Sequence, residues 1–311
     1  MTKRIQLAIK LIVTHIALPV ALIVLFFVTN IDAFLAFIMS QTILCIIYLA
    51  GYWEFFGQRF KYIFCAFIQI VMILLLFVKV TSVIIPEENL YLIIFPVIIQ
   101  FFLLNEIIRI LIVMFQKDVS SVEIEFPFRH GEYLITDGGN SKTSRLMNYH
   151  YYSPVHKRNK TNNSMLFAAD IVKVDKAYPS FLPDENGQYP VFGMNIYSPM
   201  DGVVVKVEDN IQDNKPYSEN YPYNTGNTVV IKKDNYFLLL GHLNFDSIIV
   251  RVGDHIKTNE LIGRAGNSGW TERPHLHMQL IKSETDNYWM GIGVSIRYKN
   301  RNVYKNRYLK V

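Results

Sequence analysis

Four long apolar runs dominate the first 116 residues, at 5–29, 34–53, 62–85 and 90–115. Each reaches the ~20 residues that carry a helix across a bilayer. A cleaved leader has a shorter apolar core and a small-residue cleavage site, and neither is evident here. The runs therefore predict an α-helical transmembrane anchor over residues 1–116. After Lys117 the pattern shortens to apolar stretches broken by Gly, Pro, Asn and Asp. Strand-like stretches occur at 122–128, 167–174, 202–207, 227–232, 236–240, 247–252, 261–265 and 275–281. Short β-branched runs between frequent turn signals predict an antiparallel all-β domain over residues 117–311. The polar stretches 176–190 and 209–227 read as long loops, either walls of a groove or surface insertions.

Charge sharpens the division. Residues 1–116 hold 7 Lys/Arg and 5 Asp/Glu, whereas residues 117–311 hold 24 and 21. The whole chain is only 18% charged, against roughly a quarter in soluble domains, and the deficit lies in the first part. The formal net charge of +5 is mild and dispersed, which gives no case for a nucleic-acid partner. Both cysteines, Cys45 and Cys65, fall in apolar runs. The polar domain therefore has neither a disulfide framework nor thiolate metal ligands.

Loop charges bear on topology. Lys3, Arg4 and Lys10 open the first run, Arg59 and Lys61 lie between the second and third, and Lys79 lies near the end of the third. Asp32, Glu87 and Glu88 mark the other two loops. Because Lys and Arg concentrate on the cytoplasmic side, four crossings would leave the polar domain inside the cell. Three crossings would place it outside. Glu106 and Arg109 interrupt the fourth run at i, i+3, which makes that run the expected exception. This pair reads either as an ion pair turned into the bundle or as part of a membrane pathway. The tail beyond Arg297 is basic and aromatic, and reads as a solvated strand edge or a contact for an anionic polymer or lipid.

Chemistry concentrates at His275-Leu276-His277. On a strand, i and i+2 project to one face, so both imidazoles meet the same space, as zinc ligation requires. Three turn-rich segments precede this pair: Ser198-Pro199-Met200-Asp201-Gly202-Val203-Val204, Gly241-His242-Leu243, and Gly253-Asp254 leading into Gly263-Arg264-Ala265-Gly266-Asn267-Ser268-Gly269. From about residue 126 to 281, this ordered set resembles the lysostaphin-type zinc metallopeptidases that cut cell-wall peptide bridges. The resemblance implies that His277 ligates Zn2+ and that His242 and His275 are catalytic. It also implies that Asp170, in Phe167-Ala168-Ala169-Asp170-Ile171, is the carboxylate ligand. Many members carry a histidine four residues before that Asp, where this chain has Leu166. The remaining ligand is therefore His150, in a Gly138-Gly139-Asn140-Ser141…Asn148-Tyr149-His150 segment similar to one subgroup, or else His156. His15, His130 and His255 stand outside every motif.

The implied activity is a membrane-held zinc endopeptidase acting on peptidoglycan or a related cell-wall peptide, with the lipid bilayer as its other partner. Three protein ligands would leave one position on the ion open for metal-assisted hydrolysis. Two other readings remain at this stage. Leu166 suggests a catalytically inactive regulator or binding module, and Glu106 with Arg109 suggests a membrane function for the helices themselves.

Overall fold

The computed structural model describes residues 2–28, 33–81, 90–116, 120–152, 162–174, 178–218 and 225–311. The expected boundary at Lys117, the loop charges Asp32, Glu87 and Glu88, His156, and residues 176–177 and 219–224 of the two polar loops lie outside the described residues. The chain divides into two compact units, Gln6–Leu111 and Ile112–Val311 together with the first few residues.

The helical unit contains α1 (Lys3–Ile12), which continues through a π-helical turn at Val13–Ala17 into α2 (Leu18–Val28). It then has α3 (Ala33–Ala50), α4 (Gly57–Thr81) and α5 (Leu90–Phe115). Among the described residues, three helices are long and apolar enough to cross a membrane: Lys3–Val24, Gly57–Val78 and Ile94–Phe115. Each candidate window is 22 residues, or about 33 Å at ~1.5 Å per residue, close to the ~30 Å of a bilayer core. The run expected to fall short is continuous: Leu90–Phe115 is one 26-residue helix despite Pro96, Glu106 and Arg109. Arg109 is exposed and Glu106 half-buried, so Arg109 is not turned into the bundle.

The second run forms α3, which ends at Ala50, three residues before the apolar run does. Its end has a local cause. The Trp53 indole N–H reaches back to the carbonyls of Ile47 and Tyr48 at 3.1 and 3.2 Å, capping the last turn. A Cβ on Gly51 would lie 2.4 Å from the Ile47 carbonyl oxygen, so the chain needs glycine there to turn. Leu22, Ala36, Leu44, Ile68 and Met72 form the buried seam of the unit. Phe77, Phe95 and Phe101 are exposed apolar side chains, as expected of helices that face lipid.

The second unit is built of strands β1 (Val122–Glu123), β2 (Glu132–Asp137), β3 (Ala169–Lys173), β4 (Asn195–Tyr197) and β5 (Gly202–Glu208). These are followed by β6 (Asn227–Lys233), β7 (Tyr236–Leu243), β8 (His255–Ile256), β9 (Leu261–Arg264) and β10 (Leu276–Lys282). Four short strands close the chain: β11 (Ile292–Val294), β12 (Ile296–Tyr298), β13 (Arg301–Asn302) and β14 (Tyr308–Lys310). The main sheet runs β14-β2-β3-β10-β7-β6-β5-β8, with β11 beside β10, and its pairings are antiparallel. Two small sheets, β1-β12-β13 and β4-β9, flank it. The pair β1–β12 is parallel, an exception to the all-antiparallel expectation.

The middle of the sheet is set by apolar β-strand formers. Val229, Val230, Ile231, Leu238, Leu239 and Leu240 have almost no exposed surface, and β6 and β7 are joined through Asp234 at φ +53°. One strand expectation fails. Residues 247–252 form no strand, because the Asp209 carboxylate takes the Ser247 and Ile248 N–H groups at 3.3 and 3.0 Å. Backbone donors held by a side chain are not free for a ladder. Several short strands were not legible in the pattern, β2 being the important one: its Tyr133, Leu134 and Ile135 are fully buried, and it pairs with β3 in the sheet.

The basic tail ends in the sheet-edge strand β14, and one of its cations turns inward. Lys305 is buried, donates to the Leu146 carbonyl at 3.1 Å, and lies 3.9 Å from Asp137. Arg307 donates to the Asn302 carbonyl, and Lys310 lies 3.9 Å from Glu132.

Candidate metal centre

Register places the chemistry. On the antiparallel pair β3–β10, His277 stands opposite Asp170, and on β10–β7 it stands opposite Gly241, the neighbour of His242. Strand alternation puts His275, His277 and Gln279 on one face of β10. A 3-10 turn at His150–Tyr152 brings the fourth imidazole to the same space. His277 Nδ1 lies 3.0 Å from Asp170 Oδ1, His275 Nε2 lies 3.4 Å from the same oxygen, and His150 Nε2 lies 3.3 Å from Asp170 Oδ2. The donor atoms of His150, Asp170 and His277 are all within 4.8 Å of one another, and all three residues are buried. The His242 ring is 4.8 Å from that of His275 and 5.7 Å from that of His277.

The proton on each ring follows from its second nitrogen, since a partner there sets which nitrogen stays bare. A carbonyl oxygen can only accept. His242 Nδ1 must therefore carry the hydrogen it gives to the Ser268 carbonyl at 2.8 Å. His275 Nδ1 likewise donates to the Arg273 carbonyl at 2.9 Å. His150 Nδ1 donates to Asn148 Oδ1 at 2.7 Å. His277 Nε2 lies 3.0 Å from Gln279 Oε1, and its Nδ1 lies 3.0 Å from Asp170 Oδ1. Bare imidazole lone pairs thus meet around one carboxylate in a buried space. Such acceptors repel one another unless a cation lies among them.

Electrostatics agrees. Burial, reinforced by His275 and His277, holds the His242 imidazole well below its ordinary 6.5, and burial also lowers His277. Burial alone would raise the Asp170 carboxyl, but His150 and His275 outweigh it and hold it well below 3.8. Burial opposes charge on His150 too, yet Asp170 raises that imidazole above 6.5. Burial thus favours neutral His242 and His277 beside an ionised Asp170, as metal ligation needs, while Asp170 draws a proton toward His150 in the metal-free site.

His242 sits at φ +60°, a left-handed conformation costly for a residue with a Cβ. It is held by its N–H to the Thr225 carbonyl and by its own carbonyl, which accepts from Gly266 N–H. Of the expected site residues, His150, Asp170, His242, His275 and His277 come together. His130 and His255 are exposed, and His15 is buried in the helical unit. Asn148 and Gln279 were not singled out from the sequence. Gln279 extends the alternation of His275 and His277 by one more step, a signal that was present. Asn148 had only its place in the Asn148-Tyr149-His150 segment.

Residues 189–288 match the family model for peptidase family M23. They form a peptidase family M23 domain. Members of this family are zinc metallopeptidases. The match contains His242, His275 and His277, whereas Asp170 and His150 lie before it. The chain is similar to the peptidoglycan DD-endopeptidase ShyA of Vibrio cholerae, 35% identical over 89 residues, which is 29% of this chain and 18% of that protein. It thus spans less than a fifth of that relative. Among solved structures, a zinc containing peptidase from Vibrio cholerae is 24% identical, covering 59% of this chain and 39% of its own, with a TM-score of 0.32. The catalytic domain of lysostaphin from Staphylococcus simulans is 22% identical, covering 35% of this chain and 80% of its own, with a TM-score of 0.24.

Proposed function

We propose that the chain is a membrane-anchored zinc endopeptidase that cleaves peptide bonds in peptidoglycan or a related cell-wall peptide. In this reading residues 1–116 form the anchor and residues 117–311 the peptidase domain. The observation that carries the proposal is the convergence of bare imidazole nitrogens on Asp170. His150, Asp170 and His277 would hold the zinc: two imidazoles and a carboxylate suit that ion and leave a position open. Bound there, zinc supplies a Lewis acid and lowers the pKa of water.

The remaining steps belong to the protein. His242 and His275 each keep Nδ1–H on a backbone carbonyl, so each can take and return a proton only at Nε2, the atom that faces the site. Those carbonyl bonds stop the rings turning, which orients the transfer in advance. Burial keeps His242 neutral, so its Nε2 presents a bare lone pair to the site. The similarity to a peptidoglycan DD-endopeptidase supports a cell-wall peptide as substrate. Leu166 does not favour an inactive regulator, because His150 reaches the same carboxylate from a separate loop.

The anchor reading rests on the three long apolar helices. Crossings at Lys3–Val24, Gly57–Val78 and Ile94–Phe115 from a cytoplasmic Lys3-Arg4-Lys10 end put the peptidase domain outside the cell, where the wall is. They leave Arg59 and Lys61 on the outer side too, against the charge rule. The experiment that tests the function is metal analysis of the purified full chain together with hydrolysis of isolated peptidoglycan. We expect one zinc per chain and release of peptide fragments, both abolished by His277→Ala. A zinc-to-protein ratio unchanged by that substitution would refute the ligand set.

A further inference from the structure

We infer that Asn148 is the positioning residue that presents His150 as a ligand, by fixing both the place and the tautomer of its ring. The inference rests on the zinc reading above and concerns a residue that touches none of the reacting atoms.

His150 lies twenty residues before Asp170 in the chain, too far for local connectivity to set the distance between them. Asn148 supplies the missing constraint. It is fully buried, and its amide nitrogen faces three carbonyls: Gly139 at 3.1 Å, Leu166 at 3.3 Å and Ala168 at 2.8 Å. Gly139 belongs to the loop leaving β2, and Leu166 and Ala168 to the lead-in of β3, the strand of Asp170. One side chain therefore ties the His150 loop to the strand that carries the carboxylate.

Those contacts also settle which way the amide points. Three carbonyls can face only the NH2 group, because turning the amide over would set its oxygen against three acceptors. Oδ1 must then face His150, where it accepts from the backbone N–H at 3.0 Å and from Nδ1–H at 2.7 Å. With the ring hydrogen committed to Nδ1, Nε2 is bare and aimed at Asp170. The same loop is braced from its other side. Lys305 donates through its backbone to the Gly138 carbonyl and through Nζ to the Leu146 carbonyl. Leu166 stands where a local histidine ligand was expected, and its carbonyl accepts from Ser141 N–H, Ser141 Oγ–H and Asn148. The backbone at that position serves the loop that delivers the histidine instead.

The test uses the full chain in detergent micelles, with zinc affinity read by chelator competition for the parent, His150→Ala, Asn148→Ala and Asn148→Asp. Partners of this kind contribute ~10–100-fold in metal affinity, so Asn148→Ala should weaken zinc binding by that factor. Asn148→Asp keeps an oxygen for both His150 donors but sets its other oxygen against the Gly139, Leu166 and Ala168 carbonyls, so it should bind zinc no more tightly than Asn148→Ala. Parent-like affinity in either Asn148→Ala or Asn148→Asp overturns the inference. Unchanged affinity in His150→Ala instead overturns the ligand reading, whatever Asn148 does.

A second measurement does not depend on either Asn148 variant folding. In the metal-free parent labelled with 15N-histidine at pH 8, the resonance lost in His150→Ala should report the Nδ1–H tautomer. An Nε2–H tautomer there overturns the inference.

Discussion

Asp170 shows how a single residue can be legible in the sequence for a physical reason. A carboxylate inside the apolar stretch 167–174 is expensive unless something compensates it, and the structure surrounds it with His150, His275 and His277. Asp170→Asn should therefore lose zinc and hydrolysis together while keeping the fold, read by metal content and circular dichroism. Retained zinc would move the carboxylate out of the ligand set. The same groups make stability depend on pH. His242 and His277 have folded-state values below 6.5, so below pH 6.5 the unfolded chain takes up protons that the folded chain refuses. Stability then falls as the pH drops. Asp170, held below 3.8, acts in the same direction, and its contribution is lost only at more acid pH. His150 is raised and opposes them, its contribution being complete below 6.5 and lost as the pH rises through its raised value. For the metal-free protein we expect a lower melting temperature at pH 5 than at pH 7. An equal or higher melting temperature at pH 5 would contradict the buried neutral imidazoles.

At the scale of elements, the site depends on how loops meet strands. The Ser268 carbonyl that orients His242 is packed against Gly226, where an added Cβ would lie 2.1 Å from it at φ +67°. Gly226→Ala should cost about 1–2 kcal/mol for the backbone conformation alone, and it should lower kcat by displacing that carbonyl. Thermal melting and turnover on the same preparation measure both, and an unchanged kcat would mean that Ser268 does not orient His242. Strands with strong apolar runs, β6, β7 and β10, were visible in the hydrophobic pattern. Strands of two or three residues, such as β4 and β11, carry too few positions to show a period. The stretch 247–252 has strand-like composition, yet Asp209 claims its backbone donors. A side chain 38 or 39 residues away in the chain decides that outcome.

At the scale of the whole molecule, the proposed anchor puts the peptidase domain outside the cell, and accessibility tests it. With Lys3–Val24, Gly57–Val78 and Ile94–Phe115 as the crossings, protease added to intact cells, with the outer membrane permeabilised where there is one, should digest the domain beyond residue 117. Full protection there would place it in the cytoplasm and remove the wall as substrate. The sequence by itself determined the division into an apolar and a polar part, because burial in lipid and burial in a sheet demand different lengths and periods of apolar residues. It also determined the candidate residues of the site, because HxH on a strand and a carboxylate in an apolar run are local patterns. Only the tertiary structure decided where the second apolar run stops being helical, since Trp53 caps α3 from beyond its end. It alone shows His150 at Asp170, because the bonds that place it there join residues far apart in the chain, and no local period encodes such a contact.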